Sequence, residues 1–154
     1  MIDAVRDWVA QHAADCWPPV LEVGAYNMNG TIRDLLPESY IAMDMREGPG
    51  VDIVADVLAM EFVPDQFATI VCVETLEHVT EPWAAIDRMA GWLQPDGLLL
   101  VTVPFSWEYH PCPDDYWRMT ASGLRYLFER AGLEVVECET RENTTYGVAK
   151  KCAS

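Results

Sequence analysis

Val20-Leu-Glu-Val-Gly-Ala25 is a short apolar run that breaks at a glycine and continues into Tyr26-Asn-Met-Asn-Gly30. A run this short, bounded by turn residues, reads as a buried strand. Glycine at its end permits positive φ and lets the backbone approach a ligand closely. Glu22 is a carboxylate inside this first strand. The same unit, apolar strand then turn then helix, recurs along the chain and so decides the fold.

Upstream, residues 2–16 read as an amphipathic helix with Ile2, Val5, Val9 and Cys16 near one face, Trp8 and His12 beside them, and Pro18-Pro19 as the stop. Downstream, Thr31–Leu36 reads as a short helix closed by Pro37, and Tyr40–Met45 as a second strand carrying Asp44 near its end. Gly48-Pro49-Gly50 is a turn, Val51–Val57 alternates as a third strand, and Ala68–Val73 is a fourth. Thr80 as cap and Pro82 in the first turn open a helix bearing Trp83, Ile86, Ala90 and Leu93 at helical spacing. Gln94–Gly97 is a turn into a fifth strand, Leu98–Val103, and Phe105–Met119 is a long irregular loop. Leu124, Leu127, Phe128 and Ala131 mark a last helix, stopped by Gly132. Leu133–Cys138 and Thr144–Ala149 form a closing hairpin about Arg141–Asn143. Trp8, Trp83 and Trp92 are expected in the core.

Alternating strands and helices predict an α/β, Rossmann-like, mostly parallel sheet with helices on both faces. Such sheets bind ligands beyond the carboxyl ends of their strands, where the winding reverses. The length, 154 residues, suits a single domain. The formal charge of −15 repels phosphate backbones, so nucleic acid is excluded as a partner and a small molecule or a basic surface is favoured. No stretch is long and apolar enough for a membrane span, and the chain opens on an amphipathic pattern rather than a signal peptide. Cys16, Cys72, Cys112, Cys138 and Cys152 include no C-x-x-C pair and read as reduced thiols. A cytoplasmic protein is expected.

The strand ends carry the chemistry. Asp44 can accept both ribose hydroxyls of a nucleoside cofactor. Asp56, in Ala55-Asp56-Val57, can receive an adenine amino group. A nicotinamide dehydrogenase shares these features, but the loop lacks G-x-G-x-x-G spacing and Glu22 would be unwelcome beside a pyrophosphate. Glu22 suits a cofactor that carries positive charge.

At these residues the sequence resembles a known family. Val20-Leu-Glu22-Val-Gly24, Asp44 and Ala55-Asp56-Val57 are similar to the first three motifs of class I S-adenosylmethionine-dependent methyltransferases. Phe67–Val79, with Leu76-Glu77-His78-Val79, and Leu93-Gln-Pro95-Asp-Gly97 resemble the next two, in the type-11-like branch. The resemblance implies a sheet order of 3-2-1-4-5-7-6. The resemblance spans a cofactor-binding core (20–138) and fits the terminal hairpin (133–150), which with the N-terminal helix (1–17) make one domain (1–154). It assigns S-adenosylmethionine, leaving as S-adenosylhomocysteine, to Glu22, Gly24, Ala25, Asp44, Met45, Asp56, Val57 and Glu74. The family's glycine-rich loop is thinned here to Gly24 and Gly30, with Asn27 or Asn29 able to replace a glycine. Only Arg46–Gly50 joins the second and third strands, which is too short for the usual helix.

Transfer to a hydroxyl needs a base. His110, in the loop after the fifth strand, is the candidate, and His78 is the lesser one. Tyr109, Tyr116 and Trp117 could form an aromatic wall for the acceptor, and Arg118 could hold an anionic group. The alternative is that these residues pin the loop to the core. His110, Cys112, Asp114 and Asp115 follow no zinc spacing, and no metal is expected. The reading is methyl transfer to a small molecule, such as a hydroxyl of a sugar or another metabolite. Its alternatives are a non-catalytic partner module and a protein methyltransferase recruiting a basic partner. A homodimer sharing a lid is compatible with the sequence.

Overall fold

The computed structural model describes residues 3–28 and 30–153. Ile2 and Asn29, named above, lie outside the described residues. The strands are β1 (Val20–Val23), β2 (Tyr40–Asp44), β3 (Ile53–Val54), β4 (Phe67–Val73), β5 (Leu93–Pro104), β6 (Leu133–Arg141) and β7 (Thr144–Lys151). They form one seven-stranded sheet in the order β3-β2-β1-β4-β5-β7-β6, as the sequence resemblance implies. β1 through β5 pair in parallel, and β7 runs antiparallel between β5 and β6.

Helices cover both faces. On one, α1 (Asp3–His12) buries Val5, Trp8 and Val9 in a cluster with Val71, Leu100 and Val148. On the other, α2 (Pro82–Trp92) and α3 (Ala121–Arg130) pack Ile86, Met89, Leu124 and Phe128 into a cluster with Ile70, Leu99 and Val101. Alternate residues of β4 and β5 therefore meet different helices, and both strands read as continuous apolar runs because both their faces are buried. Thr120 caps α3 by accepting the Gly123 N–H at 3.0 Å. Among the described residues no helix is long and apolar enough to cross a membrane.

Several expected boundaries move. The third strand shrinks from Val51–Val57 to Ile53–Val54. At its start the Asp52 carboxylate accepts the Ala42 N–H at 2.9 Å, replacing a ladder bond. At its end the Asp56 carbonyl accepts from Ala59 and Met60, curling the chain into a turn. The short helix at Thr31–Leu36 reduces to a 3-10 turn, Arg33–Leu35. Gln94–Gly97 lies within β5 as an irregularity, with Asp96 at φ 64°. Glu81, not Thr80, precedes α2, and Leu93 belongs to β5. Trp8 and Trp92 are core, but Trp83 is 38% exposed because its turn of α2 faces outward, edge-on to Trp117 at 5.9 Å.

Register brings the chemistry to one edge. Val23 pairs with Met43 on one side and Cys72 on the other, so Gly24, Asp44 and Glu74 emerge together from adjacent strands. β1 and β4 are neighbours although β2 and β3 lie between them in sequence, and the crevice opens at this reversal.

Candidate active site

A cavity of about 540 Å³ occupies that crevice, within the size range of small-molecule sites. The segments after β1, β2, β3, β4 and β5 all contribute to its walls.

Gly24 forms the floor at φ 84°. A Cβ there would lie 1.9 Å from Thr75 Oγ1, so only glycine fits. Glu22 is buried and accepts a hydrogen bond from the Tyr40 hydroxyl. Burial pushes its carboxyl above the usual range, with Tyr40 acting in the opposite direction. Glu74 sits at φ 46°, its N–H donating to the Thr102 carbonyl at 3.0 Å and its Oε1 accepting the Thr102 hydroxyl at 2.9 Å. Burial raises its pKa as well. These glutamates give one end of the cavity an acidic wall. Ala25 lines it too.

Asp44 is buried at the end of β2. One oxygen accepts the Tyr26 N–H at 3.0 Å, and the other accepts the Arg46 N–H at 2.9 Å and Nε at 3.4 Å. A carboxylate offers about four lone-pair sites, so capacity remains for ligand hydroxyls. Arg46 stacks over the Tyr26 ring at 4.3 Å and reaches Cys112 Sγ at 2.7 Å. The loops after β1, β2 and β5 thus meet around Asp44. Farther along, Met45, Asp56 and Val57 line the cavity, with Val57 buried and the Asp56 carboxylate accepting the Leu58 N–H at 2.8 Å.

A further wall of the cavity is built by the segment after β4 and the long loop. His78 and His110 line it, their rings edge to face at 5.1 Å. Tyr116 also lines it, whereas Tyr109, Trp117 and Arg118 are not among the lining residues. Trp117 donates to the Val79 carbonyl at 2.8 Å, and Tyr109 is 71% exposed. Arg118 spends its donors on the Asp115 carboxylate at 2.6 and 2.8 Å and on the Trp107 and Glu108 carbonyls. That pairing holds Asp115 well below the usual carboxylate range. Trp117 and Arg118 thus have pinning contacts, the alternative weighed for this loop.

Glu77 was assigned no role from the sequence. Its side chain is fully buried, and neither oxygen has a hydrogen-bond partner among the described residues. Burial, then Glu74, raise its pKa well above the usual range. Its Oε1 lies 3.5 Å from His78 Nε2 and 3.5 Å from His110 Nε2. Its backbone carbonyl accepts the Tyr116 N–H at 2.7 Å. The adjacent histidine was the available sequence signal; His110 comes from a distant loop, and its approach is purely tertiary.

Residues 6–138 match the family described as Methyltransferase domain. The chain is similar to the ubiquinone biosynthesis O-methyltransferase of Xylella fastidiosa (strain M23), 40% identical over 65 residues. That match covers 42% of this chain and 24% of the relative, so the chain spans about a quarter of the length of that protein. Among solved structures it resembles a Burkholderia thailandensis 1,6-didemethyltoxoflavin N1-methyltransferase with bound 1,6-didemethyltoxoflavin and S-adenosylhomocysteine, at TM-score 0.77 and 17% identity over 97% of this chain and 79% of that one. The YcgJ protein of Bacillus subtilis superposes at TM-score 0.75 and 12% identity, covering 99% and 100%. The cyclase SpnF superposes at 0.77 and 16%, covering 99% and 81%. At these identities the structural likenesses establish the fold, while the family match spans most of the chain. The chain belongs to the methyltransferase-domain family.

Proposed function

We propose that this chain transfers a methyl group from S-adenosylmethionine to a hydroxyl of a small-molecule acceptor. The observation that carries the reading is the polarity of the cavity. Glu22 and Glu74 place carboxylates beside Gly24, where a cationic methionine end would rest, and buried Asp44 stands where a ribose would be held. Bound cofactor supplies an electrophilic methyl on a sulfonium. Gly24 and Ala25 give it close backbone access, Asp44 holds the ribose, and Met45, Asp56 and Val57 frame the adenine.

The chain's own work is then alignment and proton removal. His110 and His78, which line the cavity, present Nε2 atoms toward Glu77. His110, on the loop that the acceptor must pass, takes the acceptor proton in this reading, and His78 supports it. Tyr116 packs against the acceptor. Tyr109, Trp117 and Arg118 shape and fix that loop rather than touch the acceptor. Hydroxyl transfer agrees with the O-methyltransferase named among the relatives.

A second reading, a non-catalytic module on the same fold, draws on the contacts that Asp44 already makes with Tyr26 and Arg46. Calorimetric titration of S-adenosylmethionine and S-adenosylhomocysteine separates the two. Micromolar binding, weakened by Asp44→Ala by about 1.4 kcal/mol or more, a factor of ten, supports the enzyme. No binding of either ligand to the folded chain overturns it and leaves the module.

A further inference from the structure

We propose that Glu77, His78 and His110 form a binding site for a divalent transition metal, zinc in the first instance, at the acceptor end of the cavity. The site itself stands apart from the methyl-transfer reading.

Glu77 is the first observation. A fully buried carboxylate with two unpartnered oxygens is costly unless something positive completes it. No arginine or lysine pairs with it among the described residues; the basic side chains within 4.0 Å of it are the two imidazoles.

The geometry is the second. One donor atom from each residue can be chosen so that all three lie within 4.8 Å of one another. Each Nε2 stands 3.5 Å from the same carboxylate oxygen. Ligands at 2.0–2.1 Å from a tetrahedral zinc are separated by about 3.4 Å. The contacts are too long for good hydrogen bonds and suit a shared ion between the atoms.

The outer partners are the third. A ligating histidine usually gives its other ring nitrogen to a carbonyl or carboxylate, which fixes tautomer and orientation. His78 Nδ1 lies 2.6 Å from the Asp114 carbonyl. His110 Nδ1 lies 2.8 Å from the Glu108 carbonyl and 3.2 Å from Asp115 Oδ2. Asp115 is itself held by Arg118. Both imidazoles are thereby turned with Nε2 toward Glu77.

Two imidazoles and one carboxylate favour a transition ion over magnesium, which prefers oxygen donors. Three protein ligands leave a position open toward the cavity. An acceptor oxygen bound there would lose its proton more readily, and His110 would then act as a ligand rather than as the base.

The test uses the whole chain, freed of metal by a chelator and without cofactor. Zinc is titrated in by calorimetry against a competing chelator, with magnesium as a control, alongside Glu77→Gln and His110→Ala. Circular dichroism confirms that each variant is folded; His110 lies on a surface loop, so its variant guards against loss of fold at Glu77. One zinc per chain, at micromolar affinity or tighter, weakened at least tenfold by each substitution and not mimicked by magnesium, is expected. Absence of stoichiometric zinc binding, or binding that survives either substitution, overturns the site. Cofactor titration of the same samples reports on cofactor binding independently.

Discussion

Thr75 Oγ1 occupies the space that a side chain on Gly24 would need, 1.9 Å from where its Cβ would stand. The same hydroxyl lies 2.9 Å from the Val73 carbonyl and 3.3 Å from the Val23 carbonyl. It therefore ties the ends of β1 and β4 together where the sheet reverses direction, and Gly24 is the residue that lets it.

Gly24→Ala is expected to destabilise the fold in two separable ways. Overpacking against Thr75 costs about 1–3 kcal/mol, and a non-glycine residue at positive φ adds about 1 kcal/mol. Chemical denaturation of Gly24→Ala, Thr75→Ala and the double variant measures both. In the double variant the steric part is recovered and the backbone part remains; equal and additive losses would contradict the contact.

Glu22 makes cofactor binding depend on pH. Burial raises its folded pKa above the unfolded value of about 4.3. The folded chain therefore keeps this proton longer than the unfolded chain does. Glu22's contribution to stability is full below about pH 4.3 and declines as pH rises through its raised folded value. A cationic ligand favours the ionised carboxyl, so cofactor binding releases a proton and tightens across the same window. Calorimetry in buffers of different ionisation enthalpy should detect that proton, and Glu22→Gln should remove both it and the pH slope. An unchanged proton count in the variant would show that Glu22 does not face the cation.

Arg118 anchors the long loop through Asp115. Arg118→Ala strands Asp115, whose side chain is 1% exposed, without its strongest partner. A loss of about 1–3 kcal/mol is expected, concentrated in Phe105–Met119. Limited proteolysis should then cut within that loop, while S-adenosylmethionine affinity stays within a few-fold. A loop as resistant as in the unaltered chain would deny the anchoring role.

His110→Gln should lower kcat by about 10²–10⁴-fold with little change in cofactor affinity. The pH profile then tells base from ligand. A base leaves a profile whose acidic limb vanishes in the variant, whereas a metal ligand leaves activity in the parent chain sensitive to chelators. Unimpaired turnover would remove His110 from the chemistry altogether.

The strands, the three main helices and the sheet's class were legible in the sequence because each follows from nearby residues. Val20–Ala25 must be buried to satisfy its apolar side chains, Pro82 pre-sets a helical turn, and Gly132 ends α3 at φ 78°. The third strand is shorter than the alternation in Val51–Val57 implies, because alternation reports exposure on two faces and not pairing; Asp52 is spent on Ala42 of the second strand, and the Asp56 carbonyl turns the chain through Ala59 and Met60. The cavity-lining positions Glu22, Gly24, Asp44 and Asp56 could be named because strand ends in a parallel sheet share one edge.

What the sequence by itself determined, then, is a parallel sheet with an acidic crevice at its carboxyl edge, since periodicity and turn chemistry are local. Only the tertiary structure decided that Glu77 is buried without a hydrogen-bond partner among the described residues, that His78 and His110 converge on it, and that Arg118 is spent on Asp115. Those relationships join residues from separate segments across a folded loop, and no spacing along the chain encodes a distance that folding alone creates.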